Sequence, residues 1–158
     1  MVSIRPARVE DDAALLAIDE ATWTSAVSPA PAPARRKSFF GQQPLDGFLV
    51  AEVDGVVSGY VSTYQNIPLP SHAHVLAVNG LAVAPVVQGR GVGRQLIEGV
   101  LGTARNRGLT KVTLRVLGHN AGARRLYERC GFATEGVLKG EFVLDGQFVD
   151  DVLMAYYL

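Results

Sequence analysis

The stretch from residue 74 to residue 116 does most to restrict the fold. HVLAVNGLAVAP (74–85) reads as an apolar strand stopped by Pro85. VVQGRGVGRQLIEGV (86–100) reads as a glycine-rich turn that opens into a helix. On that helix Leu96, Ile97, Val100, Leu101 and Ala104 recur at helical spacing, and Gly108 suits its C-terminal end. KVTLRV (111–116) reads as a further strand. A strand, a crossover helix and a second strand place two parallel strands side by side in the centre of a sheet.

The flanking segments require antiparallel pairing. FLVAEV and VVSGYVSTY surround Asp54-Gly55, and a second Asp-Gly pair, Asp145-Gly146, divides the C-terminal apolar segment. Both are hairpin signals. At the start, Val2–Arg5 reads as a strand ended by Pro6. A helix follows, capped by Asp11 or Asp12, with Leu15, Leu16 and Ile18 inward. SPAPAPARRKS is expected to be a loop with one short helix near Arg35–Phe40. NAGARRLYERCG reads as a helix between Asn120 and Gly131. The order β-α-(α)-β-β-β-α-β-α-β-β implies an α/β protein: a mixed, mostly antiparallel, twisted sheet with one parallel pair and helices on its faces. Its 158 residues suit a single domain, 1–158.

Charge and cysteine content narrow the function classes. Fifteen basic residues balance fifteen acidic ones, so no global field favours nucleic acid or an anionic membrane. A lone cysteine, Cys130, allows no internal disulfide and no multi-cysteine metal cluster. The first residues lack the hydrophobic centre of a signal peptide. A cytoplasmic protein is expected.

A glycine turn at a helix N-terminus can cradle an anion, because unpaired N–H groups and the helix dipole converge there. An ordinary structural turn is the plain alternative. A nucleoside-triphosphate loop would need Lys-Ser/Thr after Gly93, where Arg94-Gln95 stand. A dinucleotide loop would need glycine at position 96, where Leu96 stands.

Gln88-Gly89-Arg90-Gly91-Val92-Gly93 instead fits Q-x-x-G-x-G. Together with IRPA near the start, GLAVAP, NAGARRLYERCGF and the terminal DGQFVDDVLMAYYL, it resembles the GCN5-related N-acetyltransferase (GNAT) superfamily along nearly the whole chain. The last two blocks look most like the branch of ribosomal-protein and small-molecule amine acetyltransferases. The resemblance implies the acyl-CoA N-acyltransferase fold, with its parallel pair splayed, and acetyl-CoA as co-substrate. Backbone N–H groups of Gly89, Arg90, Gly91, Val92, Gly93 and Arg94 would hold its pyrophosphate. The exposed backbone of Leu81, Ala82 and Val83 would pair with the pantetheine arm. Asn120 would contact that arm as well as cap its helix, or only cap it; Ala123 lies beside it. Tyr127 matches the family's general-acid position, with a core tyrosine as the alternative. A phenol can protonate or hydrogen-bond the thiolate as it leaves, and an N–H near Val83 is the expected oxyanion donor.

Arg90 and Arg94 could offset phosphate charge; Arg124 and Arg125 could do likewise, or form a solvated helix face. Glu52, Glu141, Asp150, His72 and His74 are all available as bases or relays, and no spacing selects among them. His72 and His74 have no third ligand, so no metal is expected. Cys130 reads as helix packing. Ala84 stands where the family commonly has an acidic residue.

The expected reaction is acetyl transfer to a primary amine, of a small molecule or of a protein, by direct attack in a ternary complex. The rival is a non-catalytic acyl-CoA-binding sensor. The acceptor would enter between the first helix, the SPAPAPARRKS loop and the terminal hairpin. Arg35, Arg36 and Lys37 could attract a carboxylate or phosphate there, or form a solvated basic run. Asp150 and Asp151 could receive a cationic amine, or be turn and edge charges. An edge strand or hairpin could support a homodimer.

Overall fold

A computed structural model describes residues 1–158. Seven strands, β1 (Val2–Pro6), β2 (Phe48–Val53), β3 (Val56–Tyr64), β4 (Val75–Val83), β5 (Lys111–Leu117), β6 (Ala133–Leu144) and β7 (Gln147–Tyr157), alternate with three α-helices. The helices are α1 (Asp12–Thr22), α2 (Val92–Asn106) and α3 (Ala121–Arg129). The strands form one sheet in the order β1-β2-β3-β4-β5-β7-β6. Every neighbouring pair is antiparallel except β4 and β5. The parallel pair, both hairpins and the helix order agree with the expected topology. No helix is long and apolar enough to cross a membrane.

Period-two alternation sorts the side chains between two cores. Ala51, Val53 and Val61 point to the face covered by α2 and α3, where Leu96, Ile97, Val100 and Ala104 are buried with them. Phe48, Val50, Tyr60 and Ala82 point to the opposite face, against Leu15 and Ile18 of α1 and against Phe39 and Phe40. Those four aromatic rings meet mostly edge to face, with Phe39 and Tyr60 centroids 4.8 Å apart.

Two local expectations are corrected. Asp11 occupies the N-cap position of α1, as one of the two expected, but makes no side-chain capping bond to it. Asp11 lies against Arg5 (2.7 and 2.8 Å), which holds its carboxyl below the ordinary range. Asp12 accepts from the N–H groups of Phe39 and Phe40, at 3.0 Å each, and from Ser38 Oγ at 2.8 Å. Residues 35–40 form bends and no helix. The N–H groups of Phe39 and Phe40 are spent on Asp12, which a helix would have turned along its own axis.

The feature that makes the site is the brevity of the β4–β5 pairing. Only Val75–Ala77 pair with Lys111–Thr113. Beyond them β4 carries an irregularity at Asn79, opposite Ser62/Thr63 of β3. A bulge of this kind bends a strand and increases its twist. From there β4 stays with β3 and parts from β5, and a wedge opens in the middle of the sheet.

Candidate active site

The wedge leaves backbone groups without a sheet partner. Ala84 N–H donates to Ser58 O at 2.7 Å, so Ala84 and, by alternation, Ala82 and Gly80 direct their polar groups at β3. Leu81 and Val83 therefore direct theirs into the wedge. The Val83 carbonyl accepts from Gln88 Nε2 at 3.0 Å. Gln88 thus ties the glycine turn to the end of β4, and the N–H of Val83 and both polar groups of Leu81 stay open to the gap.

The turn that follows is built to expose donors. Gly89 and Gly91 have φ of 79° and 82°, a conformation that glycine adopts at no steric cost. Gly91 is also the N-cap of α2. The first helical bond runs from Gln95 N–H to Gly91 O at 3.1 Å. No backbone N–H from Gly89 to Arg94 finds a backbone acceptor. These are the donors expected for an anion, concentrated at the positive end of a fifteen-residue helix. Arg94 leans along the helix onto Glu98 (2.8 Å), and Arg90 is exposed, outside the cavity wall.

A cavity of about 810 Å³ runs between this turn, β4, the end of β5 and α3. Leu81, Ala82, Val83, Gln88, Gly89, Gly91, Val92, Gly93, Arg94, Asn120, Ala123 and Tyr127 all line it. The sequence-derived donor residues, Arg90 apart, are thereby brought together along one wall. Asn120 Oδ1 accepts from Ala123 N–H at 3.3 Å and caps α3, so the cap role is present.

The Tyr127 ring is 8 % exposed and packs near Phe132, with centroids 6.0 Å apart. It is therefore a core residue, and one whose edge also reaches the cavity. Burial, with a smaller contribution from Cys130, pushes its hydroxyl up to about 12. Such a phenol stays protonated throughout the neutral range. Cys130 is half-buried and burial raises its thiol too, which disfavours the nucleophilic thiolate.

A second cavity, about 590 Å³, lies on the α1 side of the sheet. Thr22, Val27, Asn79–Ala82 and Arg115 line both cavities, so the two meet at the wedge. Its outer wall is the segment after α1, with Trp23, Val27, Ser28, Pro29 and Ala30. That segment is tied across the opening: Ser25 Oγ lies 2.5 Å from Asp145 Oδ2, and Ser25 O lies 3.0 Å from His119 Nε2. Two buried carboxylates face this cavity. Asp151 is 3 % exposed and paired with Arg115. Asp19 is 5 % exposed and accepts from Tyr60 Oη (2.6 Å) and Arg36 (2.5 Å).

None of the bases nominated from the sequence lines either cavity. Glu52 is held by Arg5 near the β1 edge, at 2.8 Å. Asp150 bonds Gly140 N–H at 2.8 Å and Lys139 on the outer hairpin. Glu141 is exposed, and His72 and His74 sit together before β4. Asp19 and Tyr60 went unnoticed in the sequence. The available signal was an aspartate at position 19, on the same helical face as Leu15 and Ile18.

A wedge between two parallel strands, closed by a turn of unpaired N–H donors and joined to a second chamber, is a shape that could take an extended, phosphate-bearing ligand through the sheet. Residues 13–132 match the Acetyltransferase (GNAT) family, and the chain belongs to it. An uncharacterised N-acetyltransferase of Methanocaldococcus jannaschii, MJ1207, is 38 % identical over 96 residues, which cover 60 % of this chain and 42 % of that protein. The chain spans less than half the length of the first curated relatives it matches. Among solved structures, smu.2055 of Streptococcus mutans UA159 superposes with a TM-score of 0.89 at 30 % identity, over 98 % of each chain. The fold is also shared by yncA of Salmonella typhimurium, solved with its cofactor acetyl-CoA, at a TM-score of 0.84 and 24 % identity over 100 % of this chain and 94 % of that one.

Proposed function

We propose that this protein transfers the acetyl group of acetyl-CoA to the primary amine of a small molecule, by direct attack in a ternary complex. One observation carries the reading above all: two cavities, one lined by an anion-binding turn and one not, meet where the backbone of Leu81 and Val83 lies open. Acetyl-CoA fits the first. Its pyrophosphate would rest on the N–H groups of Gly89–Arg94, and its pantetheine arm would pair with Leu81–Val83 as an added strand. Its thioester would then lie in the wedge. The open N–H of Val83 would receive the carbonyl oxygen as charge develops on it.

Tyr127 would donate its hydroxyl hydrogen to the departing sulfur. A thiol is a stronger acid than a phenol held near 12. The hydroxyl therefore acts chiefly as a hydrogen-bond donor to the thiolate, without giving up its proton. Ala123 and Asn120 would border the arm on the α3 side.

The acceptor would occupy the second chamber. Its volume suits a metabolite-sized ligand. The segment after α1, held at Ser25 by Asp145 and His119, walls the chamber on its outer side, which favours a small molecule. Turnover separates this reading from an acyl-CoA sensor. Release of CoA thiol is measured with a panel of amines, for the parent protein and for Tyr127→Phe. The expected result is amine-dependent release that falls by roughly tenfold to a hundredfold in kcat in the variant. Binding of acetyl-CoA without release on any amine would favour the sensor. Undiminished kcat in Tyr127→Phe would remove the role given to its hydroxyl.

A further inference from the structure

The basic run at residues 35–37 has one member that the fold treats differently. Arg36 reaches inward from the loop to the acceptor cavity, which neither Arg35 nor Lys37 lines. One nitrogen of its guanidinium donates to Asp19 Oδ2 at 2.5 Å. The other carboxylate oxygen accepts from Tyr60 Oη at 2.6 Å. Cζ of Arg36 lies 5.9 Å from the centre of the Trp23 ring, and Trp23 is itself held by Ala30 O at 3.0 Å. The guanidinium is thus fixed from behind by a buried carboxylate and on one face by an indole. Its remaining N–H donors have no protein acceptor.

The exposures give this assembly a direction. The Asp19 side chain is 7 % exposed and both its oxygens are engaged, while the Arg36 side chain is 25 % exposed. Both residues line the cavity, and the more accessible of the pair is the cation. A planar fork with free donors, held in one orientation, matches a carboxylate or a comparable oxyanion in two-point contact. Arg115, the other arginine on the cavity, is already engaged through two nitrogens by Asp151.

We infer that Arg36, positioned by Asp19, Tyr60 and Trp23, selects acceptors that carry an oxyanion in addition to the amine. The amine then lies toward the wedge, where the two cavities meet, and the anion lies toward α1. This inference rests on the acetyltransferase reading and adds the chemical class of the acceptor.

The test compares the common α-amino acids with their α-carboxamides, which keep the shape and lose the negative charge. Each kcat/KM is corrected for the unprotonated fraction of the amine. The parent protein is expected to favour the carboxylate of the best pair by at least about tenfold, as charge-assisted hydrogen bonds would give. Arg36→Gln is expected to bring that ratio to near one, chiefly through a higher KM for the carboxylate. Arg36→Lys, which keeps the charge but not the fork, is expected to fall between the two. Equal use of carboxylate and carboxamide by the parent protein overturns the inference whatever the variants do. So does an unchanged ratio in a folded Arg36→Gln. If carboxamides are acetylated without preference, only this inference fails. If no amine in the panel is acetylated, the acetyltransferase reading fails with it.

Discussion

Tyr127 serves packing and, in the proposed mechanism, would serve chemistry with the same buried ring. Its ring belongs to the larger core, with Phe132 and the inner face of α2, and the same burial that stabilises the ring raises the hydroxyl to about 12. The sign of that shift has a kinetic consequence. The donating form is the protonated one, and it persists until the pH approaches the raised value. The acceptor, in contrast, must lose a proton before it attacks. Between pH ~7 and ~10 the rate should therefore climb as the amine deprotonates, with no falling limb from Tyr127. A pH profile of kcat/KM checks this. A falling limb centred below pH ~10 and absent from Tyr127→Phe would contradict it.

Among the elements, the connection from α1 to β2 matters most for the acceptor side. Asp12 at the start of α1 reaches across to the N–H groups of Phe39 and Phe40, and through them seats two aromatic rings beneath α1. Those N–H groups, Phe40's first, lower the Asp12 carboxyl, against a smaller opposing effect of burial. A carboxyl lowered by folding adds stability that is complete above its unfolded value, near ~3.9, and lost as the pH falls through the lower folded value. Asp12→Ala should cost about 2 kcal/mol at neutral pH. It should also flatten the decline in stability below pH ~4. Urea unfolding of both proteins at neutral and acidic pH measures both effects. An Asp12→Ala protein as stable as its parent at pH ~7 would show that the loop is seated by its rings alone.

For the whole molecule, what was legible in the sequence is what local chemistry determines. The crossover helix follows from the spacing of Leu96, Ile97, Val100 and Leu101, and the hairpins from Asp54-Gly55 and Asp145-Gly146. The turn of unpaired donors follows from glycines beside a helix start. Each is written within a few residues. The acceptor chamber is not. Asp19 and Tyr60 stand 41 residues apart and meet only when α1 packs on β3. Nothing near Asp19 distinguishes it from a solvated helical carboxylate except its place on an apolar face. Conversely Glu52, Asp150 and the two histidines looked available as bases. The fold directs them to the sheet edge, the outer hairpin and the turn before β4. The parallel pair was legible. Its early parting was implied only by the resemblance, because the irregularity at Asn79 depends on the register with β3.

If the proposed chemistry is right, the wedge between β4 and β5 holds the acetyl donor. A crystal structure with acetyl-CoA bound tests this most directly. The expected result places the pyrophosphate on the N–H groups of Gly89–Arg94 and the pantetheine arm along Leu81–Val83. The thioester sulfur should lie within hydrogen-bonding reach of the Tyr127 hydroxyl. A pyrophosphate bound away from that turn, or a sulfur beyond the reach of Tyr127, would contradict it.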